Sequence, residues 1–214
     1  MRVTFPRLAD HQQGYAVVER DDGVVYRMDG FTVMGLDLPH DVRHLIVERE
    51  LRISDGIFGT IAAGAVYPSM HYLRGRRPPH SADRSAGLES ADLKKAQRNR
   101  IIRTEFLAKL VEAVAVLHDP SQDEVRRLTR MKLSVVPIVE PGAEPADVIA
   151  APPPAALATA ARALQVEAAR WARLRVGEEL VYEWPPANLS AAPALRAVPR
   201  PRNGTTYRRQ PHRG

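Results

Sequence analysis

The chain predicts an α+β domain, mainly helical, with an N-terminal β-hairpin, a helical core and a short C-terminal strand. Three observations carry that expectation. Two β-prone runs, Tyr15–Arg20 and Val24–Met28, flank Asp21-Asp22-Gly23, and Asp-Gly between such runs marks a hairpin turn. Ile102, Phe106, Leu110, Ala113, Val114 and Leu117 recur at three- and four-residue steps, the period of a core-facing helix. Leu180, Tyr182 and Trp184 alternate with polar neighbours, the period of a half-buried strand.

Taken in order, Val3-Thr4-Phe5 adds a third strand beside the hairpin, which would be marginal alone. Asp37-Leu38-Pro39 opens a helix that runs to Ile53, with Asp37 as its cap and Pro39 in its first turn. A second helix follows from Gly56 to Tyr67, stopped by Pro68; Gly59, Ala62, Ala63 and Gly64 let another backbone approach it closely. Residues 74–86 form a polar, basic loop. The longest helix spans Leu88 to Leu117, and Ser121 with Glu124 forms a capping box for a shorter one. Leu133–Val139 reads as an edge strand because Pro137 cannot donate to a ladder. A last helix, Ala155–Leu174, places Leu157, Leu164 and Trp171 seven apart, a narrow docking stripe. The expected organisation is therefore 1–139 as hairpin plus helical core and 140–154 as a Pro-rich linker. Residues 155–184 then form a docking helix and strand, and 185–214 a disordered Arg/Pro-rich tail.

Composition narrows the chemistry. Hydrophobic residues make up 44% of 214, enough for one core. With no cysteine there is no disulfide, no thiolate metal site and no cysteine nucleophile, so a transition metal would need His and carboxylate ligands. No apolar run reaches a membrane-spanning length and no signal segment opens the chain, so a cytoplasmic protein with no membrane partner is expected. The net charge of +6 sits in the tail. Residues 185–214 hold six arginines and no acid, and the rest balances 25 basic against 25 acidic residues. Such a tail can hold nucleic acid or an acidic protein weakly. No glycine-rich phosphate loop, G-x-S-x-G or EF-hand pattern is present.

The stretch that carries chemistry is His40-Asp41-Val42-Arg43-His44. Two histidines four apart on a helix project from one face, one turn apart, and can grip one ion. On a helical wheel His44, Val47 and Leu51 fall within about 40° of His40, while Val42, Ile46 and Ile53 cluster on the opposite side. A helix apolar on two faces is sandwiched in a core. Histidines there must be satisfied by hydrogen bonds or by a metal. Asp55, in the turn after the helix, is the leading third ligand, followed by His71 and His80. Ser54-Asp55-Gly56 also reads as a stop and N-cap. Glu48 lies about 12 Å along the axis from His40, too far to share an ion, and is expected to support catalysis or to pair with Arg52. Glu105 and Glu112, on the longest helix, can also reach a metal or stay solvated.

The pentapeptide resembles the metalloprotease motif H-E-x-x-H with Asp41 in place of Glu. The run Leu38–Met70 resembles a bacterial family with an HDxxH helix. His40, Asp41 and His44 are also similar to the HDxxH motif of the ubiquinone-biosynthesis proteins. That resemblance implies a helical fold, a divalent metal and action on a quinone-precursor ring. The family's downstream Glu falls at Gly56, with Asp55 beside it. The expectation is a metal-dependent enzyme binding Zn²⁺ or Fe²⁺, with Asp41 as base or supporting group. It would hydrolyse a small molecule or peptide, or modify a ring. The competing expectation is a non-catalytic structural or interaction module whose histidines are core groups.

Overall fold

A computed structural model of the chain describes residues 1–9, 13–33, 36–76, 91–117, 119–134 and 150–185. Six strands form an antiparallel sheet: β1 (Arg2–Pro6), β2 (Gln13–Glu19), β3 (Val25–Val33), β4 (Leu38–Pro39), β5 (Met70–Arg74) and β6 (Glu179–Glu183). Their order is β4-β3-β2-β1-β6, with β5 also on β3. The helices are α1 (His40–Glu50), α2 (Ile57–Ala62), α3 (Ala91–Ala115), α4 (Gln122–Leu133) and α5 (Pro154–Arg173). The α+β class holds, with a sheet wider than a hairpin and its neighbour.

The expected hairpin is β2–β3. Gly23 takes the left-handed conformation the turn needs (φ 78°), and Arg20 accepts its N–H. Alternation sets the inner face: Val3, Phe5, Ala16, Val18, Tyr26, Met28, Leu180, Tyr182 and Trp184 are all buried. β6 pairs with β1 along its whole length, Val3 opposite Tyr182, so the C-terminal strand completes the N-terminal sheet. Phe58 of α2 meets Phe5 edge-on at 6.5 Å and Trp184 at 6.1 Å, joining sheet and helices. The seven-spaced Leu157, Leu164 and Trp171 of α5 are buried, and α5 packs on α1, α3 and α4.

Helix α1 is the centre of the helical layer, touching β3, β4, α2, α3 and α5. Val42 through Glu48 are all buried, as a helix apolar on two sides requires. Its limits differ from expectation. Asp37 does not cap it; Asp37 sits at φ 49°, and Pro39 is the N-cap with no side-chain bond. Leu38-Pro39 is instead held extended against Val33 and Thr32 of β3. The helix stops at Glu50 because Arg52 turns left-handed (φ 55°), and Ile53 N–H bonds back to the Glu48 carbonyl. Helix α2 ends well before Tyr67, since Gly64 takes φ 110° and Ala65 N–H returns to the Thr60 carbonyl. β5 was not expected. Ser121 and Glu124 form the capping box of α4 as read, and α4 takes Leu133, the first residue of the expected edge strand. Ser134 is the C-cap of that helix, and residues 135–139 of the expected strand, most of the 140–154 linker, His80 and the tail beyond Pro185 lie outside the described residues. No helix among the described residues is long and apolar enough to cross a membrane.

Candidate metal centre

The first turn of α1 and the middle of α3 meet at three donor atoms. His40 Nε2 and His44 Nε2 are 3.2 Å apart. Glu105 Oε1 lies 3.2 Å from His44 Nε2 and 3.5 Å from His40 Nε2. The i,i+4 spacing brings the rings together, tilted at 57° with centroids 4.5 Å apart. Among the described residues this is the one group of three or more His, Cys, Asp or Glu placed to hold a metal ion.

Packing delivers Glu105. Phe106, Leu107, Leu110, Val111 and Val114 anchor α3 in the core. That fixes Glu105, Ala108 and Glu112, at steps of three and four, along one edge of the helix. Ala108 is fully buried, and Arg43 Nη1 donates to Glu112 Oε2 at 2.5 Å. Glu112 is thus occupied by Arg43, leaving Glu105 for the histidines. The site grades from closed to open: the His44 side chain is 0% exposed, His40 15% and Glu105 31%.

Asp41 flanks the site. Its Oδ1 lies 3.1 Å from His40 Nδ1, an arrangement that fixes the ring and points Nε2 at the cluster. Burial lowers the pKa of His40, but the Asp41 and Glu105 carboxylates outweigh it and raise it to about 9. His44 goes the other way: burial lowers it, Glu105 opposes that, and the cations of His40 and Arg43 add to the lowering. Burial raises Glu105, yet the two imidazoles override it and hold its carboxyl well below the usual range. His44 Nδ1 is buried with no hydrogen-bond partner among the described residues.

The other expected site residues stand elsewhere. Glu48 is neither at the donor cluster nor paired with Arg52. It is fully buried and its carboxylate accepts the first amides of α2, from Ile57 at 2.6 Å, Phe58 at 3.0 Å and Gly59 at 3.4 Å. Those amides have no partner within α2, so Glu48 is a cap. Asp55 does not join the His40–His44–Glu105 group and does not cap α2, whose N-cap is Gly56; Asp55 is held by Arg103 and lies 3.6 Å from Arg100 of α3. His71 does not join that group either. It aligns with Arg27 on β3, on the outer face of the sheet, and pairs with Asp29 at 3.1 Å. Position on the chain favoured Asp55 and His71. The signal for Glu105 was weaker: an acid beside the apolar stripe of α3, repeated seven residues on at Glu112.

No family model, curated protein or solved structure matches this chain.

Proposed function

We propose that the protein is a metal-dependent enzyme in which His40, His44 and Glu105 hold one divalent ion and act on a small-molecule or peptide substrate by hydrolysis. The observation that carries this reading is the triangle of donor atoms, with sides of 3.2, 3.2 and 3.5 Å. The smallest common distance to all three is about 1.9 Å, in their plane, so an ion just out of that plane meets them at the ~2.0–2.1 Å of zinc bonds to His and carboxylate ligands. A tetrahedral zinc site separates its donors by about 3.3 Å, whereas octahedral iron brings them to about 3.0 Å. The donor set and spacing accommodate either ion. Two histidines and one carboxylate leave a fourth position, as hydrolytic zinc sites do.

Each residue then has a defined task. His44, closed off from solvent, and His40, at the rim, supply neutral nitrogens once their protons leave. Glu105 neutralises one charge of the ion. Asp41 holds the His40 ring in place. A bound zinc ion would polarise a carbonyl or phosphoryl group and lower the pKa of water in its open position. The competing reading is a structural module in which the two imidazoles and Glu105 meet only as hydrogen-bonded core groups at these same distances.

The test is metal content by plasma mass spectrometry on the untagged full chain, beside His40→Ala/His44→Ala and Glu105→Ala. Circular dichroism would check that each variant is folded. One metal ion per parent chain, lost in the double variant and reduced in Glu105→Ala, is expected. No metal in any of them, even after incubation with Zn²⁺ or Fe²⁺, overturns the reading.

A further inference from the structure

We propose that Gly30 is a positioning residue for this centre: by lacking a side chain it seats the Asp41 carboxylate against His40. The functional consequence rests on the metal reading above; the geometry does not.

Gly30 on β3 stands directly opposite Gly14 on β2. Directly opposed residues project to the same face of a sheet. The neighbouring pair on that face, Ala16 and Met28, is buried in the core beneath the helices. A Cβ on Gly30 would collide with Oδ2 of Asp41 and would stand 3.4 Å from its Cγ. A Cβ on Gly14 would meet nothing within 4 Å. Glycine weakens a strand, and in strand interiors it marks places where another group approaches closely. Neither glycine has a left-handed φ, so backbone conformation does not require it at either position. At Gly30 the close approach is the Asp41 carboxylate.

That carboxylate is held from two sides. Oδ1 meets His40 Nδ1 at 3.1 Å, and Oδ2 rests over the bare Cα of Gly30. A methyl at residue 30 must push the carboxylate aside. Asp41 is the free end of a short side chain, so the collision is relieved by its movement. The cost then falls on the orientation of His40, with little lost in stability. Losing the carboxylate that orients a ligating histidine typically weakens metal binding about 10–100-fold.

The experiment titrates Zn²⁺ into the full chain against a chromophoric chelator, for the parent, Gly30→Ala, Gly14→Ala, Asp41→Ala and Gly30→Ala/Asp41→Ala. Thermal melting accompanies each. The expected result is about 10–100-fold weaker binding in Gly30→Ala at nearly unchanged melting temperature, with Gly14→Ala within about twofold of the parent. Gly30→Ala should add nothing on top of Asp41→Ala, because it acts through that carboxylate. Parent-like affinity in Gly30→Ala, or a full further loss in the double variant, overturns the proposal. A second readout is independent of metal: the Nδ1–H proton of His40 in the nuclear magnetic resonance spectrum of the metal-free protein. A parent that takes up no zinc overturns the metal reading alone. The seat then stands if this proton is protected in the parent and Gly14→Ala but lost in Gly30→Ala. It falls if Gly30→Ala keeps it.

Discussion

Replacing Glu48 by glutamine separates a structural cap from a catalytic carboxylate. In the parent, one oxygen of Glu48 accepts the Ile57 amide at 2.6 Å and the other accepts Phe58 and Gly59 at 3.0 and 3.4 Å. Glutamine keeps the volume and one acceptor, so no cavity opens. Its NH₂ group faces an N–H in place of the second oxygen. With the remaining oxygen turned to Phe58 and Gly59, the Ile57 amide is left unpaired, at about 1–3 kcal/mol. For a chain of this size that is about 2–4 °C of melting temperature per kcal/mol. Glu48→Ala strands all three amides and empties the site, and should cost about 3–5 kcal/mol. The dependence on pH gives the sign. Burial pushes the Glu48 carboxyl up to about 8, against the pull of the three amides, from an unfolded value of 4.5. Below 4.5 both states carry the proton; between there and about 8 only the folded state keeps it. Stability therefore falls as pH rises through that window, by up to about 1.4 kcal/mol per unit. Glutamine removes that slope. The assay is urea unfolding followed by circular dichroism between pH 5 and 9, with zinc stoichiometry alongside. A glutamine variant that keeps the parent's slope of stability against pH, or one that keeps its stability but loses zinc, would refute the cap.

Three other expectations follow from the same contacts. Zinc must displace the proton that Asp41 and Glu105 hold on His40, whose pKa is about 9, so zinc affinity should rise up to about tenfold per pH unit from pH 7 to 9; a flat profile by chelator competition contradicts it. Arg43, 4% exposed and bonded to Glu112 at 2.5 Å, should cost about 3–5 kcal/mol when changed to Ala, by stranding Glu112, and an Arg43→Met/Glu112→Leu pair should recover most of that in denaturant melts. A methyl on Gly59 would collide with the backbone carbonyl of Ser54, so Gly59→Ala should lower stability by about 1–3 kcal/mol, and a melting temperature equal to the parent's would show that the loop yields freely.

The elements that were legible in the sequence are those whose signals are local. The Asp-Gly turn, the Ser121/Glu124 box, the seven-spaced stripe of α5 and the alternation of β6 each depend on residues within a few positions of one another. The ends of α1 and α2 do not. Leu38-Pro39 is extended because β3 pairs with it, and α1 stops where its chain turns to deliver Asp55 to α3. β5 gave no period-two signal because it lies at the edge of the sheet. Only Met70 is buried, and His71 through Arg74 are exposed, so the strand owes its existence to the ladder with β3.

Glu48 and Glu105 show why the third candidate donor was out of reach of the sequence. His40, His44 and Glu48 continue one four-residue spacing, which makes Glu48 look like a third member of the same row. Each four-residue step on an α-helix advances about 400°, an overshoot of about 40° per step, so two steps turn Glu48 about 80° from His40 and about 12 Å along the axis. That rotation aims it at the N-terminus of α2, where the orphan amides capture it. The position that Glu48 vacates is filled across a helix–helix contact. Ala108 lets α3 lie close to α1, Arg43 engages Glu112, and Glu105, one turn from Ala108, is left facing both Nε2 atoms. Sequence spacing can name two ligands on one helix. The third donor is chosen by the crossing of two helices some 60 residues apart, and that crossing is set by the apolar stripe of α3 together with the Arg43–Glu112 pair.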